Sequence, residues 1–165
     1  MQRLAIAILE KKVARLTDMV PNERAHAESL DCPIFPDSAF IPPRPLSECR
    51  VALISSAGLM QRSGDNIPGD CAAYNQIDKA CPDRDILINH VSVNFDRTAF
   101  AADCNTVFPR ALLTDMATDG TIAHASKAHY SFMGATAPEK LQSSAMHLSA
   151  QLKESGINTA CLLPV

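Results

Sequence analysis

The densest group of side chains that can do chemistry lies in residues 89–109, NHVSVNFDRTAFAADCNTVFP. His90 stands near the end of a predicted strand, and Asp96, Asp103 and Asn105 follow it in a predicted loop. An imidazole and carboxylates together can bind a metal ion or move a proton. No HxxE, HExxH or HxH spacing supports a metal site, and Asp and Asn are also common in turns and helix caps. We therefore expect this loop to contact a substrate rather than to bind a metal.

Three further residues are candidates for substrate contact. Ser55 and Ser56 follow a buried strand directly, but not within a G-x-S-x-G elbow, so a serine hydrolase is not indicated. His129 begins the stretch HYSFMG, whose composition favours core and turn, although Gly134 would permit a close backbone approach. The glycines form neither a G-x-G-x-x-G pattern nor a P-loop, which argues against a nucleotide or FMN site.

The cysteine spacing does not indicate a metal or redox motif. No two cysteines have C-x-x-C spacing, and without a secretion signal a disulfide framework is not expected. We expect reduced thiols, some of them buried, including Cys161 within the last predicted strand. The six cysteines are Cys32, Cys49, Cys71, Cys81, Cys104 and Cys161.

The hydrophobic pattern predicts alternating strands and helices. Val51–Ile54 and 86–91 are apolar runs typical of buried strands, and residues 62–84 between them suggest a long irregular loop. A helix is predicted from near Pro109 to Gly120. This alternation predicts an α/β fold, with a mainly parallel sheet, flanking helices and Rossmann/flavodoxin-like layering.

A second helix and a terminal strand complete the pattern. Thr136 and Glu139 have capping-box spacing, apolar residues then recur at helical intervals, and Gly156 is placed to end the helix. Residues 157–163 form the last predicted strand. Ligands of parallel sheets bind beyond the carboxyl ends of the strands. We therefore expect the segments after Ile54, after residue 91 and after Val165 to meet at one site.

Composition restricts the class of protein. The 165 residues are 47% hydrophobic and 20% charged with a net charge of −3, and no basic stripe indicates a nucleic-acid partner. The apolar run at residues 4–9 is too short to span a membrane and lacks a cleavage site, so we expect a cytoplasmic protein. The predicted organisation is an N-terminal helical segment at 1–30, a proline-rich arm at 31–48 and a single α/β domain at 49–165.

Five stretches in matching order resemble the selenoprotein B family of glycine, sarcosine, betaine and D-proline reductases, closest to its short proteobacterial relatives. The resemblance covers roughly residues 30–165, and its long stretches are more specific than a short motif. The stretches are VALISSAGL (51–59), HVSVNFDRTAF (90–100), DCNTVFPRALL (103–113), HYSFMGA (129–135) and LKESGINTACLLPV (152–165).

The resemblance implies reductive cleavage of a carbon–nitrogen bond in an amino acid or betaine-type substrate. In better-known members, a partner subunit carries a pyruvoyl group that captures the substrate amine, and this chain itself would hold no cofactor. A selenocysteine of the selenoprotein B subunit then attacks the substrate carbon, and a nearby thiol resolves the intermediate.

The sequence departs from the family pattern at its end. In the family, the selenocysteine or a replacing cysteine follows the terminal L-x-P-V strand, before a further helix, whereas this sequence stops at Val165. We expect a chain cut at a misread UGA codon, inactive in reduction and with an exposed apolar patch beside the last strand. The alternatives are a nonsense mutation or a cloning boundary. A different function, as a non-catalytic α/β module that binds a small ligand or a partner, also stays open.

Overall fold

The computed structural model describes residues 17, 19–29, 34, 42, 44–92, 95 and 97–165. The chain divides into two compact units, Met1–Ser38 and Ala39–Val165. The described part of the first unit contains helix α1, Pro21–Glu28, in which Arg24 donates to Glu28 one turn later. The helix predicted before residue 17 and most of the proline-rich arm lie outside the described residues, so the boundaries predicted at 30 and 48 stay predictions.

A mixed, mostly parallel sheet forms the centre of the second unit. The strands of this unit are β1 Arg50–Ser55, β2 Leu59–Gln61, β3 Tyr74–Asp78, β4 Ile86–Ile88, β5 His124–Ala125, β6 Ala128–Phe132 and β7 Thr159–Leu163. The middle strand of the sheet, β1, pairs in parallel with β7 on one side and with β5 and then β6 on the other, and β3 lies antiparallel beyond β6. A separate antiparallel ribbon pairs β2 with β4.

Helices cover both faces of the sheet, which confirms the predicted α/β fold. Leu113 packs with Val51 and Leu53 in one hydrophobic cluster, whereas Leu148 packs with Ala52 in the other. Successive residues of β1 thus enter opposite clusters, as expected for a strand buried on both faces. The helices of this unit are α2 Thr98–Ala102, α3 Arg110–Thr118 and α4 Pro138–Glu154, with 3₁₀ turns at Leu46–Glu48, Asp83–Asp85 and Cys104–Thr106.

The strand on the β6 side of β1 is interrupted between Ala125 and Ala128. β5 pairs with the first two residues of β1 and β6 with the last two, so the amide of Leu53 lies opposite the interruption. That amide donates instead to Nδ1 of His129, at 3.1 Å, and the imidazole is almost completely buried. A side chain therefore supplies the acceptor that a continuous strand would have supplied from its main chain.

Two strands differ from the sequence-based expectation. The segment predicted as a strand over 86–91 forms only β4, which pairs with β2 outside the main sheet. β3 lies within the stretch 62–84 that was predicted to be an irregular loop. Its residues, YNQID, are mostly poor strand formers, and the strand is held by its five paired positions on β6.

The ends of α4 show where local sequence signals succeed and fail. At the carboxyl end, the amides of Gly156 and Ile157 donate to the carbonyls of Lys153 and Leu152, and Gly156 has φ +72°. This Schellman arrangement confirms Gly156 as the residue that ends the helix. At the amino end, Ala137 is the cap, and no side chain caps the helix. The predicted capping box is wrong, because the hydroxyl of Thr136 donates to the carbonyl of Cys71 at 3.1 Å.

The last strand is held at one edge of the sheet and is largely exposed. Leu162 is 69% exposed, and Cys161 is also exposed, which contradicts the expectation of a buried thiol there. Between β7 and α4 runs a mostly apolar groove of about 620 Å³. The predicted apolar patch beside the terminal strand is therefore present. No described helix is long and apolar enough to cross a membrane.

Arg110 braces the connection between β3 and β4 from the first turn of α3. Its guanidinium donates to the carbonyls of Asp78, Lys79 and Cys81 at 3.0, 3.5 and 2.8 Å, and also to the carboxylate of Asp83. The arginine is 6% exposed, so these carbonyls have little water to replace it.

Replacing Arg110 with methionine should lower the free energy of unfolding by about 2–3 kcal/mol, since three carbonyls lose a charged donor. Urea unfolding followed by circular dichroism measures this loss. Arg62→Met is the matched control, because the Arg62 side chain is 62% exposed in its contact with Asp85 and should change stability by at most about 0.5 kcal/mol. Equal losses in the two variants would contradict the bracing role.

His129 should make stability fall as the solution is acidified. Burial, and then the charges of Arg110 and Lys79, lower the pKa of this imidazole from 6.5 to about 4. Between these two values the unfolded chain binds a proton that the folded chain does not, so acidification from pH 7 to pH 5 costs about 2 kcal/mol. His129→Asn keeps an acceptor for Leu53 but does not titrate. Urea unfolding at both pH values should show a shallower loss in the variant, and equal losses would refute this assignment.

Candidate functional site

Four segments meet where the strands end. Ser56 follows β1, His90 follows β4, Gly134 follows β6 and Val165 follows β7. The amide of Gly134 donates to the Ser56 carbonyl at 2.8 Å, and the amide of Val165 donates to Ser56 Oγ at 2.8 Å. A Cβ atom built on Gly134 would lie 3.1 Å from Nε2 of His90 and 2.7 Å from the carbonyl oxygen of Ser56. Glycine is therefore the residue that allows these segments to approach.

Ser56 connects the end of β1 to the end of β7. Its amide continues the β1–β7 ladder by donating to Leu163, and its hydroxyl both accepts from the Val165 amide and lies 3.4 Å from the Val165 carbonyl. Ser55 beside it is 1% exposed, and its hydroxyl accepts from the amide of Ala57. Ser56 thus lies at the junction, whereas Ser55 faces the protein interior and shapes the turn after β1.

His90 presents an unsatisfied imidazole nitrogen at this junction. Its side chain is 6% exposed, and Nδ1 accepts a hydrogen bond from the amide of Ser92 at 3.2 Å. This bond requires Nδ1 to be unprotonated, so the neutral ring carries its proton on Nε2. Nε2 finds no hydrogen-bond partner among the residues that the structure describes. A buried donor without a partner costs about 1–3 kcal/mol, which a purely structural role would not explain.

The surroundings of His90 keep its ring neutral and fixed. Burial, and then the charge of Arg97, lower the pKa of the imidazole. The ring stacks on Phe95 with centroids 4.8 Å apart. Arg97 donates to the main-chain carbonyls of His90, Ser92 and Phe95, and its guanidinium lies 5.7 Å from the Phe95 ring centroid.

Three of the other residues that the sequence suggested make hydrogen bonds within the fold. Asp103 accepts hydrogen bonds from the amide and side chain of Asn105, which closes the 3₁₀ turn before α3. His129 is buried against Phe108 and bonded to Leu53, inside the sheet rather than at its end. Asp96 lies outside the described residues.

Three residues that fix loops in this part of the fold belong to no recognisable motif in the sequence. Arg97 and Phe95 fix the loop after β4, and a lone arginine two residues after an aromatic gave no motif to recognise them by. Arg110 was likewise missed, because its four acceptors come from a different segment of the chain.

Two of the described cysteines, Cys81 and Cys104, are poorly suited to act as nucleophiles. Burial, and then the charge of Asp83, raise the pKa of Cys104 to about 11, and burial raises the pKa of Cys81. Both thiols stay protonated at neutral pH, whereas a nucleophile needs the thiolate. No group of three or more His, Cys, Asp or Glu side chains that could hold a metal occurs in the described part of the chain.

Comparison with known proteins identifies the family. No curated protein and no solved structure matches the chain significantly. The family model for glycine/sarcosine/betaine reductase selenoprotein B matches residues 16–164. Because that match spans nearly the whole sequence, the chain belongs to the glycine/sarcosine/betaine reductase selenoprotein B family.

Proposed function

We propose that this chain is a cytoplasmic, selenoprotein B-like subunit of a reductase that cleaves a carbon–nitrogen bond of an amino acid or betaine-type substrate. The family match supports the reaction class. The observation that supports a site in this chain is the meeting of Ser56, His90, Gly134 and Val165 at the carboxyl ends of the strands.

The proposed nucleophile is a selenocysteine, or a cysteine in its place, directly after Val165. A residue there would emerge beside Ser56, because the Val165 amide is fixed to the Ser56 hydroxyl. A selenolate or thiolate attacks the substrate carbon, so a bond from selenium or sulfur to carbon forms as the carbon–nitrogen bond breaks and the amine leaves. A thiol then attacks the selenium or sulfur, the carbon takes up a proton, and a dithiol reductant reduces the resulting Se–S or S–S bond.

The proposal includes a partner subunit. A pyruvoyl group on such a subunit would capture the amine of a primary or secondary amino acid, which makes the nitrogen a better leaving group. The quaternary nitrogen of a betaine cannot form this bond and leaves directly as a tertiary amine. The substrate contacts proposed for this chain at the junction are Ser56 and His90. The contacts that the sequence pattern suggested at Ser55, Asp96, Asp103, Asn105 and His129 stay predictions.

A second candidate function is a non-catalytic module that binds a small ligand or a partner. The unsatisfied nitrogen of His90 favours it, since ligand binding needs a donor at the site but no nucleophile. On either proposal, the chain ending at Val165 should not cleave the bond by itself.

The first test is the source DNA beyond the codon for Val165. We expect TGA followed by an open frame that encodes a nearby cysteine and a helix. A TAA or TAG codon, or the lack of an open frame, would contradict the hypothesis that a UGA codon was misread as a stop codon. The binding module would then be the better candidate.

The activity test compares the extended chain with cysteine or serine at the position after Val165. Both variants are mixed with the candidate partner subunit, a dithiol reductant and glycine, sarcosine or betaine, and amine release is measured. With D-proline, the ring-opened primary amine is measured instead. Cysteine should support release and serine should abolish it, because the serine hydroxyl is not ionised at neutral pH. Equal release by the two variants would contradict the proposed nucleophile.

A further inference from the structure

Among the described residues, His90 has a buried hydrogen-bond donor that the proposed reaction steps do not use. Its Nε2–H is a donor in the neutral ring, lies under the exposed residue Gly134 and has no described partner. His129 is the other deeply buried histidine, and its Nδ1 completes the main-chain bonding of Leu53. No comparable task within the fold is visible for the Nε2 nitrogen of His90.

The surroundings favour a negatively charged acceptor for this donor. Arg97 contributes a positive charge close to the ring, while its Nη1 and Nη2 atoms donate to main-chain carbonyls. Among the described residues, no side-chain carboxylate is bonded to His90 or Ser56, and the main-chain oxygen of Val165 lies 3.4 Å from Ser56 Oγ. A fixed neutral donor beside a cation is suited to an anion such as a carboxylate.

We propose that the Nε2–H of His90 holds the carboxylate of the small molecule that binds at this junction. This inference rests on the proposed function for its substrate class, since amino acids and betaines share a carboxylate. The Gly134 main chain covers Nε2 so closely that a Cβ atom there would lie 3.1 Å from the nitrogen and 2.7 Å from the Ser56 carbonyl oxygen. The carboxylate would therefore reach Nε2 only after the turn at Gly134 shifts. His90 thereby orients the substrate, with the carbon–nitrogen bond turned toward Ser56 and the end of β7.

The test uses the 165-residue chain and two matched probes, betaine and choline. Both carry a trimethylammonium group, but only betaine has a carboxylate. Nitrogen-15 NMR of the histidine side chains follows the Nε2–H signal of His90 during each titration. We expect betaine to shift this signal and choline to leave it unchanged.

Variants separate binding from folding. His90→Phe keeps a ring to stack on Phe95 but removes the donor, and it should weaken betaine binding at least about tenfold. His147→Phe is the control, because His147 is exposed on α4.

The outcomes distinguish this inference from the proposed reaction. Betaine that fails to bind, or binds without moving the His90 signal, overturns the carboxylate site even if the extended chain releases amine. A shifted His90 signal supports the site even if no amine is released, in which case the reductase proposal fails alone. The signal of the unmodified chain decides the question if His90→Phe does not fold.

Discussion

The hydrogen bond from the Leu53 amide to His129 is the interaction on which the sheet depends. β1 is buried on both faces, so each of its amides needs a partner within the protein. The neighbouring strand is interrupted between β5 and β6, and a buried, neutral imidazole fills the missing position. The bond sets where β6 resumes beside β1, and hence where Gly134 arrives next to Ser56.

The other side of β1 fixes the terminal strand with two polar side chains. Asn158 accepts from the Arg50 amide and donates to the Glu48 carbonyl at the start of β7. Ser56 binds the main chain of Val165 at its end. Since β7 is an edge strand with little burial, these clamps and five paired positions on β1 determine its place. The junction is therefore held by strand pairing and by two short polar side chains bonded to the main chain, which together fix the end of β7.

Local signals predicted the elements that local physics controls. A few adjacent residues suffice to predict the apolar strand β1, the helical spacing of α4 and the end of that helix at Gly156. The predictions were wrong where a residue distant in sequence determines the local structure. Thr136 has the spacing of a capping box, yet its hydroxyl bonds to Cys71, and β3 forms because β6 offers a paired edge. Such partners are invisible to a reading of adjacent residues.

The two buried histidines show why the candidate site could be predicted only in part. His90 and His129 both follow or lie within apolar runs, both accept a main-chain amide at Nδ1, and both have a lowered pKa. These shared properties therefore do not distinguish the two histidines as functional candidates. The fold separates them, because His129 lies within the sheet against Phe108 while His90 lies where four segments end. The unsatisfied Nε2 donor, rather than burial or a lowered pKa, distinguishes His90 as the candidate for ligand binding.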